Sequence, residues 1–383
     1  MRIWLLLLGI YSTTTVSAQS FYLLVGTYTN KGTNNTTPPQ DSTGSKGIYL
    51  YRWDAATGQA SFLSHTDVVM NPSYLEIAPD GQHVYAVTDS RTQAMGSVSA
   101  FRLDREKGRL EFINKQPSGG ANPVYVAVHR SGRWVAVANY TGGNLAVLPT
   151  GSGGALLPYA QLAQHTGHSI NPTRQEKPHV HSVVFSPDFR SLYAQDLGED
   201  SVSIYTFDSA EPMPLHDAGK IATTPGSGPR HLTFHPNGRY AYLVEEMGGS
   251  VDVYRWYPGT GHLQLLQRVA THPDTARGPF RSADVHVSAD GRYLYVTNRE
   301  SESNITTFSI DTDKGTLRTI GYTPVLGREP RNFTIDPTGR YLLVGNQDSD
   351  EVVIFKIDEK SGLPRPTGQR IKVPSPTCLK MAE

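Results

Sequence analysis

The chain has 383 residues, a length that at ~150 residues per domain suggests two or three domains unless a repeat holds it together. With 36 glycines, 26 prolines, 38% hydrophobic and 18% charged residues, it reads as short, frequently turned segments able to bury a core, outside the disordered and membrane-spanning classes. Lys+Arg and Asp+Glu both number 35, so no basic excess favours nucleic acid or an anionic membrane, and neither partner is expected. The single cysteine, Cys378, excludes an intrachain disulfide, a cysteine zinc cage and an iron–sulfur cluster.

The first residues, MRIWLLLLGIYSTTTVSAQS, place a positive charge at Arg2 before an apolar run and small residues up to Ala18. This is the layout of a signal peptide over residues 1–18, and it predicts an exported protein, periplasmic or secreted. The apolar run is about half the ~20 residues that a membrane span needs. Residues 19–383 are then expected to form one domain. The Asn/Thr/Pro-rich stretch 30–46 reads as a long surface loop.

From residue 71 onward one phrase recurs: NPSYLEIAPDGQHVYAVTDS, NPVYVAVHRSGRWVAVANY, PHVHSVVFSPDFRSLYAQDLG, GPRHLTFHPNGRYAYLVEEMG, RSADVHVSADGRYLYVTNRES and EPRNFTIDPTGRYLLVGNQDS. Each is an alternating apolar run, a tight turn and a β-branched or aromatic run, which is the pattern of a β-hairpin. A third strand such as SVSIYTFD and a fourth such as LEFINKQ complete the unit. The turn residues Gly81, Gly132, Phe189, Gly238, Gly291 and Gly339 recur with a mean spacing of 51.6 residues. Four strands per ~50-residue period predict an all-β fold, a seven-bladed β-propeller of four-stranded antiparallel blades. Six copies are intact. The seventh is expected to be split, with VPSPTCLKM (373–381) joining FYLLVGTYT (21–29) and GIYLYRWD (47–54) in one blade. That closure puts Cys378 on an inner strand as a buried apolar group, and by removing free edges makes a monomer the default expectation. Residues 150–178 lengthen one repeat and lead into His179 and His181, as a lid would.

In a propeller the first strand of each blade lines the channel, so equivalent positions form rings. One ring reads Tyr74, Tyr125, His181, His231, Asp284, Asn332 and Cys378; the ring before it includes Arg230 and Arg331. Fifteen residues on lie Asp89, Tyr140, Asp196, Glu246, Arg299 and Gln347. Packing alone would favour Val, Ile or Leu at repeated strand positions, so this polar sector marks a site. Guanidinium groups beside imidazole and carboxylate suit an anionic or carbonyl-rich ligand. His179 and His181 share a strand face, but no clear third ligand makes them a metal pair, and no metal or cofactor is expected. His129 and His235, at the hairpin turns, read as structural, and Asp348-Ser349-Asp350 as a turn rather than a calcium loop.

The segments KPHVHSVVFSPD, DLGEDSVSIY, GPRHLTFHPNGRYAYLVEE, SADVHVSADGRYLYVTNRE and EPRNFTIDPTGRYLLVGNQDSDEVVIF resemble the seven-bladed propeller lactonases, the family of propeller-type 6-phosphogluconolactonases and carboxy-cis,cis-muconate cyclases. The resemblance covers essentially the whole chain after residue 18. It implies metal-independent hydrolysis or formation of a lactone, a small-molecule partner. A histidine, an arginine and a glutamate carry the chemistry in the cyclase branch, aided by a second arginine. By motif these fall on His181 (with His179 as neighbour), Arg230 and Glu246 (with Glu245 adjacent), and the second arginine on Arg281 or Arg299. His179, Asp196, His231, Arg281, Asp284, Arg299, Arg331 and Asn332 are the expected binding set. In lactone hydrolysis His181 would serve as general base, Arg230 would bind the oxyanion or a substrate carboxylate, and Glu246 would orient the pair or act as acid. A non-catalytic carbohydrate- or protein-binding propeller and a lactonising cyclase are the alternatives.

Overall fold

The computed structural model describes residues 19–30, 43–66, 69–89, 93–299 and 303–383. The leader over residues 1–18 and most of the loop at 30–46 lie outside them. The described residues form seven four-stranded antiparallel sheets. Blade 1 contains Pro376–Ala382, Ser20–Thr27, Tyr49–Asp54 and Gln59–His65, from inside outward. Blades 2 to 7 follow in chain order, with inner strands Leu75–Ile77, Pro123–Val128, Val180–Phe185, Pro229–Phe234, Ser282–Val287 and Pro330–Ile335. Each inner strand contacts the inner strands of the blades on either side, and that of blade 1 meets both blade 7 and blade 2. The ring is therefore closed by the two chain ends, as expected: Tyr22 to Gly26 pair with Ala382 to Cys378.

Strands buried on both faces explain the apolar content of the repeat. Between blades 5 and 6, for example, Tyr242, Val244, Val251 and Val253 pack against Val285, Leu294, Val296 and Phe308. Each such large side chain contributes about 1.5–3 kcal/mol by leaving water. The tyrosine of HVYAV and RYLYV has a second task, because a buried hydroxyl needs a partner. Tyr85, Tyr193, Tyr242 and Tyr295 each donate to a turn carbonyl of the adjoining sheet, Gly154, Gly261, Gly315 and Gly362, at 3.0, 2.6, 3.0 and 2.8 Å. A Cβ on Gly315 would lie 2.3 Å from the Tyr240 ring, so glycine there is a packing requirement. His129 and His235 likewise bond turn carbonyls of the following blade, Phe189 and Gly291.

Residues 150–178 are more structured than a lid. Gln161–Gln164 is the outer strand of blade 3, and only the stretch from His165 to Pro178 is a strap between blades. The strap is anchored where His165 meets Asp196 and Tyr205, Gln175 donates to the Leu197 carbonyl, and Lys177 donates to the Thr141 carbonyl.

Candidate active site

The site begins with a backbone irregularity repeated around the ring. In six blades the pairing of the inner strand with its neighbour shifts by one residue near the strand start, a β-bulge. A bulge re-aims the extra side chain. The residues inside the shift are Val124, His181, Arg230, Arg331 and Thr377, with the blade 6 shift falling between Ser282 and Val285.

This register corrects one column of the sequence reading. Val180 pairs with Asp196 and Ser182 with Gln195, so Ser182, not His181, is the counterpart of His231. His181 instead stands in the bulge position with Arg230. The N–H groups of Tyr140, Glu246, Arg299 and Gln347 return to the carbonyls of Asn122, Gly228, Arg281 and Glu329, and in blade 4 the matching bond runs from Leu197 to His179. Asp196 thus shares its column with Glu245, one residue short of Glu246.

The bulge residues and the ends of the second strands meet in an entrance layer centred on Glu246. Its carboxylate is 3% exposed yet carries three guanidinium partners: Arg230 Nε at 3.1 Å, Arg299 Nη2 at 2.9 Å and Arg174 Nη2 at 2.8 Å. Burial alone would raise its pKa. Arg299, Arg174 and Arg230 overcome this and hold the carboxyl well below the usual carboxylate range. His181 Nε2 lies 4.0 Å from Glu246 Oε2, its ring edge-on to Tyr140, and its buried Nδ1 has no hydrogen-bond partner. Burial, then Arg230 and His231, drive its pKa well below 6.5, so the imidazole is neutral at neutral pH. Arg230 also donates from Nη1 to the Ala283 carbonyl at 2.7 Å. Burial and Arg299 weigh against its charge, and Glu246 supports it.

One residue further along each inner strand is a second layer. Tyr74 and Tyr125 stack at 4.0 Å, and the His231 ring stands edge-on to both. His231 Nδ1 bonds Asp284 Oδ1 at 2.7 Å; Asp284 Oδ2 accepts from Asn332 and from His286, and Asn332 Oδ1 accepts the Leu379 N–H at 2.7 Å. Burial pushes the His231 pKa down to about 4. Asp284 stays well below its usual range despite burial, because His286 and His231 face it. Cys378 accepts the Leu75 N–H on its sulfur at 3.3 Å, and burial pushes its thiol up to about 12.

Of the residues expected from the sequence, the structure brings His181, Arg230, Glu246 and Arg299 into direct contact. Arg281 reaches the group through Glu329, which also pairs with Arg299. Arg331 lies over the Tyr28 ring at 5.4 Å, near Asp89. His231, Asp284 and Asn332 form the second layer. His179 stacks on Tyr140 and bonds the Tyr140 carbonyl and Glu176. Asp196 is spent on the N–H groups of His179, Gly198 and Glu199 and on His165. Sequence reading missed Arg174, which lies outside the repeat, and Glu329. Among the described residues, His165, Asp196 and Glu199 are the group able to gather metal ligands; the His165–Asp196 hydrogen bond and the Lys220–Glu199 ion pair already occupy them.

The family described as "Lactonase, 7-bladed beta-propeller" matches residues 22–381. The chain belongs to the seven-bladed propeller lactonases. It is 37% identical over 338 residues to the 6-phosphogluconolactonase of Formosa agariphila, covering 88% of this chain and 95% of that one. To the 6-phosphogluconolactonase of Bacillus subtilis it is 32% identical, covering 93% and 97%. Among solved structures, the periplasmic gluconolactonase of Pseudomonas aeruginosa superimposes with a TM-score of 0.86 at 38% identity, over 95% of this chain and 99% of that one.

Proposed function

We propose that this propeller lactonase is exported and hydrolyses a sugar-type lactone in the entrance layer, with chain groups and no metal carrying the chemistry. The observation that carries this reading is the neutral, partly unsatisfied His181 set against a carboxylate that three arginines keep ionised. The unpartnered Nδ1 of His181 takes a proton from water as the water oxygen attacks the lactone carbonyl. Arg230 spends Nε on Glu246 and Nη1 on Ala283, leaving Nη2 to meet the oxyanion that forms. Collapse of the tetrahedral intermediate breaks the ring C–O bond, and the imidazolium returns the proton to the departing alkoxide.

The electrostatics support one of the two roles expected for Glu246. A carboxyl held below its usual range is ionised at neutral pH and has no proton to give, so Glu246 positions Arg230 and stabilises the imidazolium as it forms. The leader pattern over residues 1–18 supports export, which favours an extracytoplasmic lactone over a cytosolic intermediate. The test is a panel of lactones, including glucono-δ-lactone and 6-phosphoglucono-δ-lactone, assayed with the purified protein in excess EDTA. We expect turnover above the spontaneous rate, undiminished by the chelator. Loss in EDTA would reject the metal-free mechanism, and no turnover on any lactone would favour a binding propeller.

A further inference from the structure

The strap from His165 to Pro178 contributes one side chain to the entrance layer. Arg174 follows a turn in which Asn171 Oδ1 accepts the N–H groups of Thr173 and Arg174, and Ser169 N–H bonds the Gln175 carbonyl. Its guanidinium donates to Glu246 Oε1 at 2.8 Å and to the Tyr140 hydroxyl at 3.4 Å. Arg230 and Arg299, which share the other oxygen of Glu246, have side chains 2% exposed, whereas the Arg174 side chain is 37% exposed. Of the three guanidinium groups on this carboxylate, Arg174 is the one that an incoming molecule meets first.

Charge counting gives this position a purpose. Arg174, Arg230, Arg281, Arg299 and Arg331 converge on Glu246 and Glu329, with Asp89 beside Arg331. Arg230 and Arg299 are buried against Glu246, whereas Arg174 and Arg281 are 37% and 33% exposed, so the positive excess lies at a partly exposed rim, where it attracts a ligand that supplies negative charge. A carboxylate needs no third guanidinium to remain ionised, so Glu246 can keep its charge while Arg174 turns to another anion. The fork geometry of arginine suits a phosphate or a carboxylate.

We propose that Arg174 is a specificity-determining residue: it recognises an anionic substituent, phosphate or carboxylate, on the ring that enters the site. This rests on the reading of the entrance layer as a sugar-lactone site, but not on turnover. Its test is therefore a binding measurement with stable pyranoses. The full-length protein is titrated calorimetrically with glucose 6-phosphate, glucuronate and glucose, alongside Arg174→Ala and Arg174→Lys.

The expected result is that the parent binds the better of the two anionic sugars at least about tenfold more tightly than glucose, and the stronger of the two names the anion. Arg174→Ala should reduce that preference at least about tenfold, with the melting temperature little changed, and Arg174→Lys should restore part of it by keeping a point charge. A parent with no preference for either anion, or an alanine variant that keeps the full preference, would overturn the proposal. Arg174-dependent anion binding without hydrolysis of any lactone would sustain it while refuting the proposed catalysis.

Discussion

Two adjacent glutamates show how much one residue of position decides. Glu246 sits among three arginines and is held ionised. Glu245, the last residue of Tyr240–Glu245, is 0% exposed, and no arginine or lysine forms an ion pair with it among the described residues. Burial first, and then Asp252, raise its pKa well above the usual value. Consecutive strand residues face opposite ways, so the two carboxyls inhabit different environments although the sequence shows only Glu-Glu. A folded-state pKa above the unfolded one means that the native state binds this proton more tightly. The contribution is fully present below pH ~4.5 and is lost as pH rises through the folded value. Glu245→Gln keeps the shape and removes the charge, so it should stabilise the protein at pH 7.5 by about 1 kcal/mol or more, with the gain vanishing near pH 4. Denaturant unfolding at both pH values checks this. A variant no more stable than the parent at pH 7.5 would show that the carboxyl is satisfied in solution.

At the scale of elements, the bulge organises the site and the terminal strand completes the ring. The bulge places His181 and Arg230 at one level in adjacent blades, and the left-handed backbone that precedes it falls on Gly228 at φ +66 and on Asn122, Glu329 and Ser375 at φ +56, +57 and +46. Gly198 is equally constrained, since a Cβ there would come within 1.9 Å of the Lys177 carbonyl at the end of the strap. Strand Pro376–Ala382 is the inner strand of blade 1 and carries Cys378 and Leu379, 0% and 1% exposed, into contact with blades 2 and 7. Deleting residues 374–383 would leave Ser20–Thr27 with an open edge and two blades with bare apolar faces. The truncated protein should therefore lose cooperative thermal unfolding, followed by near-ultraviolet circular dichroism. An unchanged melting curve would mean that the ring holds without its closing strand.

For the whole molecule, the fold was legible because the repeat states it six times: strand alternation, turn glycines and period together specify blade, strand order and number. Closure followed from the two partial copies at the ends. The site was legible in outline, since a column of polar residues where packing asks for Val or Leu stands out. It blurred where local chemistry competed with spacing. Aligning His181 with His231 matched like with like, whereas the seven residues separating turn and column in the other blades, counted back from Phe189, at φ +61 where the other blades have glycine, lead to Ser182. The same slip put Asp196 in the ring of Glu246. Arg174 was beyond a repeat-based reading because the strap has no counterpart in other blades, and Glu329 because its carboxylate acts through arginines distant in sequence.

The proposed function turns on His181 acting as the base on a lactone. The most direct measurement is kcat/KM for the best lactone of the panel with parent and His181→Gln, each verified by its melting temperature. Removing a general base typically costs 10²–10⁴-fold, so we predict a fall of about that size with the fold unchanged. A folded His181→Gln protein that turns over as fast as the parent would contradict the account.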